Sequence, residues 1–342
     1  MFDLTCRQRE AEREPKDHST NTLFLMSRLQ YDPEFYKLGA TKIEAQRHVF
    51  PVGDVESRRK QIEDFIRGPD GRQPLPDNVE MLVHFAEALD GFKVKILHFR
   101  QKDSFNEQHG PGIVHIHGGG YTGSSASDYS STLAAYVSAT GVPMLSVEYR
   151  LAPEHPFPVP LEDCWSALLH VQANAAALGL DPHRIAIMGE SAGGGLAAGI
   201  AILARDRQLS PPLAKQILIY PMLDDRTDKD LTGGLAIFGY QDVLTGWMSY
   251  LGDLYKTDKV PPVAAPARLE VFDGLAPLYL DCGGLDMFLR EGVAYAQRFI
   301  EAGIPTELHI YQGVPHAFQR FAPTSAVVKR AFTNRLAACS SF

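Results

Sequence analysis

From residue 112 onward, short apolar runs alternate with longer segments whose apolar residues recur at helical spacing. Strands that are apolar throughout are buried on both faces, which is typical of a parallel sheet covered by helices on both sides. The pattern therefore predicts an α/β fold. The predicted strands are 113–117, 143–148, 184–188, 216–220, 277–281 and 306–311, and the predicted helices are 130–140, 161–178, 192–207, 289–302 and 324–338.

Two other stretches break this alternation. Residues 1–50 are polar, with apolar side chains at helical spacing, and residues 57–67 predict another helix that ends at Gly68-Pro69. Segments 79–86 and 92–100 alternate and predict a β-hairpin. We expect cap helices in 1–55 and a second domain, 56–342, with a cap insertion at about 224–258. The N-terminal apolar positions are Leu23, Leu25, Met26, Leu29, Phe35, Tyr36 and Leu38.

The insertion contains Gly, Pro and several aromatic residues. After the carboxyl end of a strand, such a segment could form part of a lid. Plain packing of one extra helix is the interpretation that we favour for most of its aromatics, which are Phe238, Tyr240, Trp247, Tyr250 and Tyr255.

Composition narrows the class of protein. The 342 residues are 45% hydrophobic and 22% charged, with a net charge of −8 and no block of Lys or Arg, which argues against nucleic-acid binding. The four cysteines are scattered, which suits a reducing compartment and no metal site. Neither a signal peptide nor an apolar run of about 18 residues is found. We expect a cytoplasmic protein without a membrane span, with a homodimer as one option for its assembly.

The stretch Gly189-Glu190-Ser191-Ala192-Gly193 reads G-x-S-x-G between a predicted strand and a predicted helix. A serine at such a turn is held in a strained backbone with its hydroxyl exposed to substrate. The N–H groups at the start of the helix point to the same place. An ordinary serine in a Gly-rich turn is the alternative, and we favour a nucleophile.

The sequence His117-Gly118-Gly119-Gly120-Tyr121 follows the first predicted strand of the repeating part. Backbone N–H groups of glycine can approach a developing oxyanion closely, so we predict an oxyanion hole of Gly118, Gly119 and Ala192. A rival interpretation is a dinucleotide site, because the glycines at 118, 120 and 123 match G-x-G-x-x-G and an acidic residue ends the next strand. It leaves the serine turn unexplained. The pair at 115 and 117 suggests zinc, but no further ligand follows nearby.

A third stretch, Tyr149-Arg150-Leu151-Ala152-Pro153-Glu154-His155-Pro156-Phe157-Pro158, has three prolines that stiffen a loop. Its Glu154 and His155 could act as acid and base, but we interpret the stretch as a bracing loop.

HGGGY at 117–121, YRLAPEHPFP at 149–158 and GESAGGG at 189–195, in this order, resemble the hormone-sensitive-lipase family of α/β-hydrolases. The resemblance covers about residues 80–340. It implies an α/β-hydrolase fold with an eight-stranded, mostly parallel sheet and an N-terminal helical cap. Glu190 departs from the Asp or Thr that the family often has, so the subfamily stays open.

A serine nucleophile needs a base within hydrogen-bond reach, and in α/β-hydrolases the acid and then the histidine follow the serine. Only His309 and His316 follow Ser191. His309 lies within a predicted strand, whereas His316 lies just beyond its carboxyl end, where ligand-facing residues gather. We predict His316 as the base, a position that also resembles the family's histidine.

Asp281 and Asp286 are the candidates for the acid. Asp281 belongs to a strand end, while Asp286 lies in the following loop and matches the family's acid position. Asp286 could instead cap the next helix. We prefer Asp286 as the residue that orients His316.

These residues predict a serine carboxylic-ester hydrolase that acts on a small-molecule ester through an acyl-enzyme and needs no cofactor. If the N-terminal helices and the insertion 224–258 form a cap, the pocket is enclosed and apolar. Such a pocket suits short- to medium-chain esters, as the resemblance also implies. Two alternatives stay open: an acyltransferase or lactone-processing enzyme of biosynthesis, and a small-molecule receptor. Receptors of similar fold have lost a triad residue, whereas Ser191, Asp286 and His316 are all present here.

Overall fold

The computed structural model describes residues 29–67, 74–102 and 109–342. Its strands form one eight-stranded sheet in the order β1-β2-β4-β3-β5-β6-β7-β8. Strands β1 and β2 run antiparallel to their neighbours, and the strands from β3 to β8 pair in parallel. The bounds are β1 (Val79–Glu87), β2 (Lys93–Gln101), β3 (Gly110–Ile116), β4 (Met144–Glu148), β5 (Leu180–Glu190), β6 (Lys215–Ile219), β7 (Leu278–Leu285) and β8 (Thr306–Pro315).

The eight-stranded, mostly parallel sheet that the sequence implied is therefore confirmed. The predicted hairpin is β1–β2, whose turn contains Gly91 with φ +83°. The parallel strands carry their carboxyl ends to one edge, and the loops that follow β3, β5, β7 and β8 meet there.

Helices cover both faces of the sheet, as the continuously apolar strands predicted. Along β5, Ile187 packs into one hydrophobic cluster, and its neighbours Ala186 and Met188 pack into the cluster on the opposite face. All three side chains are fully buried. The helices are α1 (Pro33–Ala45), α2 (Val55–Arg67), α3 (Ser130–Thr140), α4 (Val159–Ala173), α5 (Ala192–Asp206), α6 (Tyr240–Leu251), α7 (Leu289–Glu301) and α8 (Ala326–Ser340).

One predicted helix is too long. The segment 161–178 is not a single helix, because α4 ends at Ala173 and a short 3₁₀ turn, Ala176–Leu178, follows. The Asn174 side chain donates to the carbonyl of His170 at 2.8 Å, a local bond that competes with the helical backbone. Gly179, with φ +75°, then reverses the chain into β5.

The N-terminal helices and the insertion lie outside the repeating pattern. Phe35 of α1 is fully buried, while the predicted helical positions 23–26 and the stop signal Gly68-Pro69 lie outside the described residues. In α6, Trp247 is fully buried and Tyr250 stacks on Tyr121 with 4.1 Å between ring centroids. Plain packing is therefore the correct interpretation for these two insertion aromatics.

None of the helices in the described ranges has the length and apolarity that crossing a membrane requires.

Candidate active site

Ser191 lies at the apex of a sharp turn between β5 and α5. Its φ of 58° and ψ of −123° are a strained combination for a residue with a side chain. The turn depends on its glycines, because a Cβ on Gly189 would lie 2.1 Å from the carbonyl oxygen of Gly193. The Ser191 N–H donates to the Ile219 carbonyl of β6 at 2.9 Å, which fixes the turn against the sheet. Strand, turn and helix thus present the hydroxyl at the carboxyl edge.

His316 and Asp286 reach Ser191 from the two neighbouring loops. Nε2 of His316 lies 2.9 Å from Ser191 Oγ, and Nδ1 lies 2.7 Å from Asp286 Oδ2. The natural assignment of protons has Nδ1–H donating to the carboxylate and the serine hydroxyl donating to Nε2. His316 and Asp286 are both buried, at 5% and 4% exposure. This arrangement can remove the serine proton during attack on a carbonyl.

Aromatic rings enclose the imidazole of His316. Tyr220, Phe238 and Phe288 meet it edge-on, with centroid separations of 4.5, 5.3 and 5.2 Å. Asp286 also accepts from the Phe288 N–H at 2.9 Å through its other oxygen, so it caps the turn before α7 as well as contacting His316. One carboxylate thus makes both contacts, one to the histidine ring and one to the backbone just before α7.

The rival acid and base lie elsewhere. Asp281 is fully buried and accepts from Arg335 through both oxygens, at 2.7 and 2.8 Å. The partner of His309 Nε2 is Glu307 of the same strand, at 2.7 Å. Both residues have structural partners that account for their polar atoms.

The structure does not support Gly118, in the glycine loop after β3, as a donor of the predicted oxyanion hole. The N–H of Gly118 donates to Tyr129 Oη at 3.2 Å, so it is already engaged and does not fit the predicted role. Gly119 and Gly120 instead line the cavity beside Ser191, with φ of +120° and +60°. A Cβ on Gly119 would lie 2.1 Å from the Gly123 carbonyl oxygen, so only glycine fits there.

The two histidines before the glycines are part of the packing. Burial lowers the pKa of His115 to about 3 and that of His117 to about 4. His115 Nδ1 lies 2.9 Å from Ser146 Oγ, and the His117 ring stacks on Tyr149 at 4.2 Å. Within the described ranges, no group of three His, Cys, Asp or Glu residues has the arrangement of a metal site. These observations give no support to a zinc interpretation.

The cavity above Ser191 is enclosed from the side of α2 and α6. Its apolar wall consists of Ile62, Phe65, Met222, Phe238, Val243 and Phe288. Arg58 of α2 and Asp242 of α6 also line it, and they form an ion pair of 2.7 Å that joins the two helices. Sequence reasoning missed this pair, because nothing in the chain marks two residues 184 positions apart as partners.

The bracing loop is held by α2. Arg59 donates to both carboxylate oxygens of Glu154, at 2.7 and 2.6 Å, and this bond lowers the pKa of Glu154 to about 2. Arg59 also donates to the Thr122 carbonyl at 2.6 Å, so α2 clamps the glycine loop as well. The loop's proline content had predicted bracing, but only the structure identifies Arg59.

Glu190, the departure in the serine motif, is buried at 1% exposure. Its Oε2 accepts from Tyr220 Oη at 2.7 Å and from Gln319 Nε2 at 3.3 Å. Tyr220 is one of the rings against His316, so Glu190 supports the wall of the site from behind.

The α/β-hydrolase fold family matches residues 113–320, well over half of the chain, and the match includes Ser191, Asp286 and His316. The chain belongs to this family. It is 32% identical to the esterase LipI of Mycobacterium tuberculosis over 66% of this chain and 70% of that protein. It is 34% identical to the carboxylesterase NlhH of the same species over 62% and 67% of the two chains.

Among solved structures, a bacterial heroin esterase is similar with a TM-score of 0.82 and 33% identity, over 91% of this chain and 97% of that one. These similarities confirm the carboxylesterase family that the three motifs predicted. This α/β-hydrolase is a carboxylesterase-type enzyme.

Proposed function

We propose that this α/β-hydrolase cleaves carboxylic esters with Ser191 as nucleophile, His316 as general base and acid, and Asp286 as the residue that orients His316. The observation that carries the proposal is the chain of two short hydrogen bonds, 2.9 Å from Ser191 Oγ to His316 Nε2 and 2.7 Å from His316 Nδ1 to Asp286 Oδ2.

In the first half-reaction, Ser191 Oγ bonds to the ester carbonyl carbon while its proton passes to His316 Nε2. The tetrahedral intermediate then breaks the bond to the alcohol oxygen, which takes the proton from His316 and leaves. Water then attacks the acyl-serine while His316 Nε2 takes its proton. The second tetrahedral intermediate breaks the bond to Ser191 Oγ, which takes the proton back from His316 as the acid leaves. Asp286 stays ionised and stabilises the imidazolium.

The N–H groups of Gly119, Gly120 and Ala192 are the donors that we propose for the oxyanion. Gly119 and Gly120 line the cavity, and Ala192 follows Ser191 at the first position of α5, where its N–H has no partner within the helix. Each such donor contributes about 3 kcal/mol to transition-state stabilisation. This set replaces Gly118 of the prediction by Gly120.

We further propose that the N-terminal helices and the segment 224–258 act as a cap. The Arg58–Asp242 pair and the shared cavity lining support this, and they extend the N-terminal part of the cap through α2, beyond the predicted boundary at residue 55. A covered, largely apolar cavity favours short- to medium-chain acyl groups.

A cytoplasmic location is also our proposal, supported by three buried free thiols, Cys164, Cys282 and Cys339. Assembly as a homodimer stays a prediction, which light scattering on purified protein would test.

The test is hydrolysis of p-nitrophenyl esters from acetate to palmitate by the wild type and by Ser191→Ala. We expect turnover that peaks on short or medium chains and falls at least about 10³-fold in the variant. Ser340→Ala, an exposed serine at the end of α8, is the matched control. Folded protein that hydrolyses no ester, or a Ser191→Ala variant that retains activity, would refute the proposal. Product formation only with an added alcohol acceptor would identify a transferase.

A further inference from the structure

Arg320 brings a positive charge into a cavity whose wall is otherwise largely apolar. It ends the 3₁₀ turn Phe318–Arg320, four residues after His316, and its side chain lines the cavity together with Ser191 and Gly119. The enzyme as a whole has a net charge of −8, so the cation is a local feature. The mechanism proposed above does not use it.

Tyr129 contacts both the guanidinium of Arg320 and the glycine loop beside Ser191. The Arg320 Cζ lies 4.7 Å from the centroid of the Tyr129 ring, and Tyr129 Oη accepts from the Gly118 N–H. A Cβ placed on Gly118 would lie 2.8 Å from that Oη and 3.2 Å from Ser191 Cβ. Tyr129 and Ser191 therefore border the same end of the glycine loop, and Arg320 lies against Tyr129.

Arg320 makes no ion pair with any residue in the described ranges. The other arginine of the cavity, Arg58, differs, because it pairs with Asp242 and donates to three backbone carbonyls. The nearby carboxylate of Glu190 acts on Arg320 only through space, because no hydrogen bond or ion pair joins the two side chains.

The guanidinium of Arg320 is protonated and carries a positive charge. Burial lowers its pKa, but the neighbouring Tyr129, Glu190 and Tyr220 raise it by more, so the pKa lies above its ordinary value. Arg320 contacts Tyr129, and its guanidinium carries five N–H donors in a planar fork whose geometry a carboxylate matches.

We propose that Arg320 binds a free carboxylate on the substrate, so that the preferred substrates are esters that carry a second, ionised acid group. The inference rests on the proposed ester hydrolysis and narrows its substrate class. In a cavity sheltered from water, a carboxylate is held by this cation far better than a neutral group of the same shape.

The test compares isosteric pairs of esters by the rate of acid release. Monoethyl esters of succinic to pimelic acid are paired with the same esters in which a primary amide replaces the free acid. A second series places the carboxylate in the alcohol part, as acetoxy acids and acetoxy amides. The readout is the ratio of kcat/KM for each acid to that for its amide, in the wild type, Arg320→Gln and Arg320→Lys.

We expect the wild-type ratio to exceed one at a preferred chain length and to fall about 10- to 100-fold in Arg320→Gln, as the loss of a charge-assisted pair implies. Arg320→Lys should give an intermediate ratio, because it keeps the charge but loses the fork. Arg330→Gln, an exposed arginine of α8, is the control and should leave the ratio unchanged.

A wild type that hydrolyses the amides as well as the acids would overturn the inference and leave the proposed function intact. An equal ratio in wild type and Arg320→Gln would do the same. Should Arg320→Gln fail to fold in a melting experiment, the wild-type ratio and Arg320→Lys decide. No hydrolysis of any ester by folded enzyme would overturn the proposed function itself, and the inference with it.

Discussion

Breaking the ion pair between Arg335 of α8 and Asp281 of β7 should strongly destabilise the enzyme. The two side chains are almost fully buried, at 2% and 0% exposure, and two hydrogen bonds of 2.7 and 2.8 Å join them. Tyr279 also donates to Asp281, at 3.0 Å. Arg335→Met would leave the carboxylate as an uncompensated charge in the core, which typically destabilises by about 3–5 kcal/mol.

The size of the chain converts this loss into a shift in melting temperature. With an unfolding entropy of about 2.1 cal/mol/K per residue and 342 residues, the expected decrease in Tm is about 4–7 °C. The double variant Asp281→Asn/Arg335→Met removes both charges and should recover most of the loss, because apolar or neutral groups in place of a buried pair are often tolerated. Urea titration and calorimetry would measure both variants.

The same experiment separates the two aspartates that the sequence left as candidates. Asp281→Asn should lower Tm but keep kcat per folded molecule within about fivefold, because its partners are structural. Asp286→Asn should retain the fold but lower kcat on the order of 10³- to 10⁴-fold, since His316 would lose the carboxylate that orients it. A large loss of kcat in Asp281→Asn, with Asp286→Asn still active, would refute this assignment. A Tm unchanged in Arg335→Met would refute the charge argument.

Two further changes test Glu291, a buried residue of α7 whose carboxylate accepts from the Leu223 N–H at 2.6 Å, and the link between α2 and α6. Burial raises the pKa of Glu291 to about 8, so its contribution to stability is complete below pH 4.5 and lost as pH rises towards 8. Glu291→Gln lacks this titration. Between pH 5 and 9 the unfolding free energy of the wild type should therefore fall by several kcal/mol relative to that of the variant. Unfolding free energies of the two proteins that change equally with pH would contradict the argument. Arg58→Met removes the link from α2 to Asp242, so we expect KM to rise more than kcat falls, with faster proteolysis near residue 50, and Arg58→Lys should lie between the two. Unchanged KM in Arg58→Met would exclude a role for the link in binding.

Much of the fold and of the candidate site was predictable, because both depend on local rules. The strands were recognisable from continuous apolar runs, and the strand ends place Ser191 and His316 at one edge of the sheet. The predicted donor Gly118 is not in the set that we propose, which contains its neighbours Gly119 and Gly120. Three successive glycines look alike in sequence, and Tyr129, which accepts from the first N–H, lies 11 residues further on in the connection between β3 and α3.

The contacts that shape the cavity were not predictable in the same way, and the reason is physical. No periodic pattern or spacing in the sequence marks Arg58 and Asp242 as partners. Likewise, nothing in the sequence shows that Tyr129 lies beside Arg320. Such contacts join helices and loops whose relative positions are not set by strand pairing, so only tertiary packing determines which residues meet. The reaction class is therefore predictable from local motifs around the sheet edge, whereas the selectivity that we propose depends on long-range contacts. Variants at Arg58 and Arg320 should consequently change selectivity more than they change the chemistry at Ser191.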